Sequence, residues 1–193
     1  MTTSELPGKP GIRPEVQDFF APYHDQFIFN YGDDFEHFGP GFHRVPVTGG
    51  RWVAGVPQLA TDIFICGSAM DAIAFNSVAD NYAFIAVGSR PVRQQFEDLP
   101  KGRRYHLLFP KDELGAVCDI KAASFIRKQA LSIRFDKHYH VLFRRKPYEL
   151  SHLSLHALEK ASGYRFNLRT HKPKNALTWT SSLGHRPYLP LLK

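Results

Sequence analysis

The feature that most constrains this chain is a change of hydrophobic period after residue 61. The runs IFIC (63–66), AFIAVG (83–88) and YHLLFP (105–110) are short and mostly apolar. Runs of that length and character read as strands buried on both faces. Between and after them, SAMDAIAFNSVA, RPVRQQFEDL and the long DELGAVCDIKAASFIRKQAL carry helical patterns. Apolar strands alternating with helices argue βαβ units, hence an α/β fold built on a mostly parallel sheet flanked by helices. SIRF, the turn Asp136-Lys137 and HYHVLFR add a strand pair. A helix around YELSHLSLHALEKAS follows, with Gly163 placed to cap its carboxyl end.

The first 61 residues read differently. Residues 1–13 hold Gly, Pro, Ser and Thr and suggest a loose arm, and Pro14 suits the first turn of a short helix. The stretch APYHDQFIFNYGDDFEHFGPGF is dense in aromatic residues, which fits the packing of a small subdomain. FHRVPV and RWVAGV flank Thr48-Gly49-Gly50 and read as a hairpin, with Pro46 marking the first arm as an edge strand. The expected organisation is therefore a small β-containing amino-terminal unit (1–61), an α/β core (62–163) and a basic carboxyl-terminal extension (164–193).

Charge is concentrated late in the chain. The formal net charge is +7, yet residues 1–140 are nearly balanced. Residues 141–193 hold ten Lys and Arg against only Glu149 and Glu159. A localised basic segment suits a polyanion such as nucleic acid. Arg144, Arg145 and Lys146 follow a strand pattern. Arg165, Arg169, Lys172 and Lys174 follow the last helix, with Tyr164, Phe166 and Trp179 interleaved. Cations with aromatics suit a single-strand groove, where phosphates pair with charge and bases stack. No run approaches a membrane span, and the first residues lack the apolar core of a signal peptide. Two cysteines, Cys66 and Cys118, make no disulfide framework, so a cytoplasmic setting is expected.

In open α/β sheets ligands gather at the carboxyl ends of strands. Three such ends are visible: Cys66-Gly67-Ser68 with Asp71 one turn on, Val87-Gly88-Ser89-Arg90, and Phe109-Pro110-Lys111-Asp112-Glu113 with Gly115 following. The order strand, G-S-x-x-D-A, strand, V-G-S, strand, D-x-x-G over residues 62–145 resembles the Toprim domain of bacterial primases and topoisomerases, and the Toprim-like proteins of mobile and conjugative elements. FGPGFHRVPVTGGRWVAGV resembles the segment that precedes Toprim in primases. The resemblance implies a glutamate at the first strand end as general acid/base and aspartates at the third that hold Mg²⁺. Here the glutamate position is Gly67 and the first aspartate position is Pro110, while Asp71 and Asp112 match.

The pocket around Gly67, Asp71, Pro110, Asp112 and Glu113 thus reads as degenerate, with no catalytic residue and no cofactor. The resemblance then implies a non-catalytic, nucleic-acid-associated protein of a mobile element, with DNA ahead of RNA and other proteins of the element as further partners. Arg90, Arg93 and Lys111 are the phosphate contacts expected near the strand ends. Two alternatives stay open. One is a Mg²⁺-dependent phosphoryl-transfer enzyme with rearranged acids, drawing on Asp71, Asp112, Glu113 or Asp119, of which Asp112 and Glu113 would attract the cation. The other is a protein-interaction module. The pairs His138/His140 and His152/His156 each share a face of their element but lack the companion ligands of a zinc site.

Overall fold

In a computed structural model, the structure describes residues 12–20, 27–39, 41–77, 83–135 and 138–183. The arm expected over residues 1–13 falls mostly outside them, as do the turn Asp136-Lys137 and the segment 184–193. Helix α1 (Pro14–Phe20) starts at the expected proline. Strands β1 (Ile28–Asn30), β2 (Phe35–Gly39) and β3 (Phe42–Arg44) form a small antiparallel sheet.

The central sheet holds β4 (Trp52–Gly55), β5 (Asp62–Cys66), β6 (Ala83–Ala86), β7 (Arg104–Leu107) and β11 (Arg169–Thr170), in the order β11-β7-β5-β6-β4. β11, β7, β5 and β6 run parallel, and β4 closes one edge antiparallel to β6. The fold is therefore mixed α/β with a largely parallel sheet. That sheet draws strands from all three stretches 1–61, 62–163 and 164–193.

Side chains alternate across it. Phe64, Cys66, Phe84 and Ala86 face a core shared with α1 and with α2 (Ala69–Asn76). Ile63, Ile65, Ile85, Tyr105 and Leu107 face a second core with α3 (Glu113–Ile126) and α4 (Leu155–Ser162). All eight residues of α2 are buried, which requires cover on every side. The cover comes from the sheet, from α1 and from α5 (Trp179–Ser182). Gly163 sits at φ +69 and ends α4 as a left-handed cap, as expected.

Three local expectations need correction. Thr48-Gly49-Gly50 joins no hairpin: β3 pairs with β2 and β4 pairs with β6. Asp33 organises the turn instead, accepting from the Thr48 hydroxyl and from the amides of Gly49 and Gly50. RPVRQQFEDL yields only a short 3-10 turn, Arg93–Phe96, pinned by the Gln95 amide donating to Gly50 and Val87 carbonyls. The start of YELSHLSLHALEKAS is not helical. β8 (Leu131–Phe135) and β9 (Tyr139–Phe143) gain a third antiparallel partner, β10 (Lys146–Leu150), and α4 begins at Leu155.

Residues 164–183 pack onto the core and the sheet. Phe166 is fully buried and β11 extends the sheet. A polar chain ties β11 down beneath Phe64, whose ring stacks on His106 at 4.5 Å. His106 lies 2.8 Å from Asp62 Oδ1 through Nε2 and 2.9 Å from His171 Nε2 through Nδ1. The carboxylate accepts from His106, and the other His106 nitrogen shares a hydrogen with His171. Burial, with His106 and Arg169 nearby, pushes its pKa down.

Candidate functional site

At the first strand end an internal carboxylate occupies the start of the following helix. β5 stops at Cys66, Gly67 turns the chain, and Ser68 caps α2 by accepting from the Asp71 amide at 3.2 Å. The free amides of such a helix start form a natural anion site. Here the anion is internal. Glu36, from the middle of β2, is fully buried and points its carboxylate at the helix. Oε2 accepts from the Ala69 amide at 2.7 Å and from the Tyr31 hydroxyl at 2.6 Å. Oε1 accepts from the Met70 amide at 3.1 Å and from the Ser68 hydroxyl at 2.8 Å, and lies 2.8 Å from His43 Nε2.

Five donors thus converge on one carboxylate. Nothing in the G-S-x-x-D-A pattern announces it; the only local signal was an acid set among alternating aromatics in F-E-H-F. A side chain at Gly67 would meet the Gly88 carbonyl, its Cβ only 3.3 Å from that oxygen.

The cluster does not make a nucleophile. His43 turns the same nitrogen toward Glu36 and toward Ser68, 3.4 Å away, whereas a base-and-orienter arrangement uses both nitrogens. Burial, helped by Asp71 and Glu36, pushes the Cys66 thiol well up, so it stays protonated. Cys118 is likewise buried and raised to about 11.

Asp71 is also buried and serves another partner. Its Oδ1 accepts from the Thr180 amide at 2.8 Å and from the Thr180 hydroxyl at 2.7 Å, fastening α5 onto α2. Burial raises its pKa to about 6 against those two hydrogen bonds. Asp112 caps α3, accepting from the Gly115 amide at 2.7 Å. Gly115 is required there, because a Cβ would fall 1.9 Å from the Pro110 carbonyl oxygen. Among the described residues no group of three or more His, Cys, Asp or Glu side chains is placed to hold a metal. Gly67 and Pro110 offer no side-chain oxygen where the resemblance implies acids, so the residues present do not fit the Mg²⁺ arrangement it implies.

Beyond the third strand end lies a cavity of about 440 Å³ between the turn after β7, α3, β11 and the start of α4. Lys111, Asp112, Glu113 and Asp119 line it, together with His152 and His156. Lys172, expected on a basic surface, instead turns inward. Its ammonium donates to the carbonyls of Phe109 and Pro110 at 2.9 and 2.8 Å and pairs with Asp119 at 2.6 Å. Burial raises Asp119 to about 6, opposed by Lys172. Lys111 donates to the Lys174 carbonyl at 3.4 Å.

The remaining basic residues divide by location. Arg144 and Arg145 form the two-residue turn between β9 and β10, with φ of 51 and 64. Both are exposed, as is Lys146. The Arg144 guanidinium lies 5.3 Å from the centre of the Tyr164 ring, next to exposed Arg165. The Arg144 amide donates to Ala130, two residues from exposed Lys128. The structure thus brings Arg165, from the later basic stretch, beside the hairpin tip. Arg90 is exposed after β6, Arg93 covers the Phe125 ring, and Arg169 is exposed on the edge strand β11. Phe166 and Trp179, read as stacking platforms, are core residues and offer no face to a base. Among the described residues no helix is long and apolar enough to cross a membrane.

The chain matches no protein-family model, no curated protein and no solved structure.

Proposed function

We propose that this chain is a nucleic-acid-binding protein with a Toprim-like sheet, one that holds its partner through the β9–β10 hairpin and performs no metal-dependent chemistry. The observation that carries the reading is the contact of Arg144 with Tyr164. It sets Arg165, paired with Glu159 at 3.5 Å, beside the exposed Arg144, Arg145 and Lys146 of the hairpin. Two-residue turns with positive φ are stiff, so these charges reach a phosphate backbone with little ordering cost. The half-buried Tyr164 ring beneath Arg144 offers an aromatic surface there. A place among mobile-element proteins, with DNA ahead of RNA, rests on the resemblance of residues 62–145.

The absence of chemistry is supported by how the acids are used. Glu36 fills the helix start where the family's glutamate would act, Asp71 holds Thr180, and Asp119 pairs with Lys172.

Fluorescence anisotropy with labelled single- and double-stranded oligonucleotides across a salt series tests the reading. Affinity should fall steeply with salt and ignore Mg²⁺. Replacing Arg144, Arg145 and Lys146 with Ala should lower the single-strand salt slope by about 2. Mg²⁺-dependent cleavage, or binding that the triple variant leaves intact, would overturn it.

A further inference from the structure

The amino-terminal end of the parallel strands carries positive charge that the fold leaves unmatched. β7 starts there with Arg104, and Arg103 precedes it. α3 runs back along the sheet and finishes at the same end, with Arg127 as its carboxyl cap and exposed Lys128 next. Burial raises the pKa of the Tyr105 phenol, and Arg127 and Arg103 oppose it, so the helix end and the strand start share one neighbourhood. Arg127 donates to the carbonyls of Phe166 and Asn167 at 2.6 and 2.9 Å, and Arg169 follows on β11 beside His106. The hairpin joins this row, because the Arg144 amide donates to the Ala130 carbonyl at 3.2 Å, just beyond Lys128.

The partners of these groups do not cancel their charge. Arg103 and Arg127 donate to backbone carbonyls, which are neutral. Arg104 and Arg165 are matched by Asp62 and Glu159. Lys128 and Arg169 are exposed, and among the described residues no carboxylate pairs with either. The end of a helix supplies only about half a negative charge, too little for Arg127 and Lys128 together.

The carboxyl ends of the strands differ. Lys172 pairs there with Asp119, and Lys111 stands among Asp112 and Glu113. The 14 residues of α3 set the two ends about 21 Å apart. Charges in physiological salt are screened over about 8 Å, so a polyanion held at one end draws little from the other. A row of cations drawn from α3, the hairpin and β11 suits a polymer that carries charge at every unit.

We propose that a nucleic-acid backbone lies along the amino-terminal end of the sheet, from the hairpin tip past Lys128 and Arg127 to Arg169, opposite the end where the family resemblance places the chemistry. The choice of partner rests on the nucleic-acid reading above. The track adds cations outside the hairpin and takes the place of the contacts expected from Arg90 and Lys111.

Fluorescence anisotropy of the full chain with a labelled thymidine oligonucleotide and with a labelled duplex, across a salt series, tests the track. Lys128→Ala with Arg169→Ala should lower the slope of log affinity against log salt by about 1.4 for the single strand, or about 1.8 for the duplex. Both side chains are exposed, so the thermal midpoint should stay in place. A fall in either form supports the track, and the form bound more tightly names the partner. Arg90→Ala with Lys111→Ala should leave the slope as it is.

A slope that falls with the Arg90 and Lys111 pair, or one that the Lys128 and Arg169 pair leaves intact, overturns the track. In the second case a loss confined to the hairpin triple variant keeps the hairpin reading alone. No oligonucleotide binding at low salt sinks both readings. Binding only to phosphatidylserine vesicles, which present negative charge without a phosphodiester chain, does the same.

Discussion

The carboxylate of Glu36 accepts the Ala69 amide at 2.7 Å across 33 residues of chain, so the small amino-terminal sheet caps the first helix of the α/β core. The relationship makes the amino-terminal unit part of the core. Replacing Glu36 with Ala leaves the Tyr31 and Ser68 hydroxyls and two amides without their acceptor. The expected loss is roughly 3–5 kcal/mol, against roughly 1–2 kcal/mol for Tyr31→Phe. Urea unfolding checks the order, and a Glu36→Ala change below about 0.5 kcal/mol would contradict the capping role.

Acidity should act through Asp71. Burial pushes its carboxyl up to about 6 in the fold, from an ordinary 3.8. Across that interval the folded chain binds more protons than the unfolded one, so this contribution is present below the lower value and lost as pH rises through about 6. Asp119, also raised to about 6, acts in the same direction. His171, lowered in the fold, acts oppositely: its contribution is lost as pH falls through the ordinary histidine range. Asp71→Asn keeps the acceptor for Thr180 and removes one titration. Relative to wild type the variant should gain on the order of 2–3 kcal/mol between about pH 4 and about pH 7, measured by urea midpoints. A difference independent of pH would show that Asp71 titrates normally.

Gly115 should tolerate no side chain. An alanine Cβ would collide with the Pro110 carbonyl, a backbone atom held in turn by Lys172. Gly115→Ala should destabilise by roughly 1–3 kcal/mol or more, read from the thermal midpoint. An unchanged midpoint would mean that the start of α3 can shift away from the strand end.

The hairpin tip allows charge and fold to be separated. Positive φ at both turn positions suits Asn-Gly better than Arg-Arg. Arg144→Asn with Arg145→Gly should raise the unfolding midpoint slightly while weakening oligonucleotide binding and lowering the single-strand salt slope by about 1.4. Undiminished binding by a stable double variant would remove the hairpin from the interface.

What the sequence made legible follows its periodicity. IFIC, AFIAVG and YHLLFP became β5, β6 with its following turn, and β7 with its following turn, because apolar runs that short have few other uses. Gly163 announced its cap through a conformation that favours glycine. Arg144-Arg145 announced nothing, since a turn with positive φ usually shows Asn or Gly, and β10 was hidden behind it. Glu36 and Lys172 escaped for a shared reason: each is a charged residue neutralised by partners far along the chain, and local pattern carries no trace of such partners. For Lys172 the count of basic residues even pointed outward, while Asp119 and two carbonyls draw it in.

The burial of α2 has a consequence for synthesis. Thr180 follows Asp71 by 109 residues, which a ribosome adding 5–20 residues per second takes roughly 5 to 20 seconds to supply. Throughout that interval the α5 flank of an all-buried helix stands open. A nascent chain thus displays Phe75 without its Trp179 cover, the kind of apolar surface that chaperones hold.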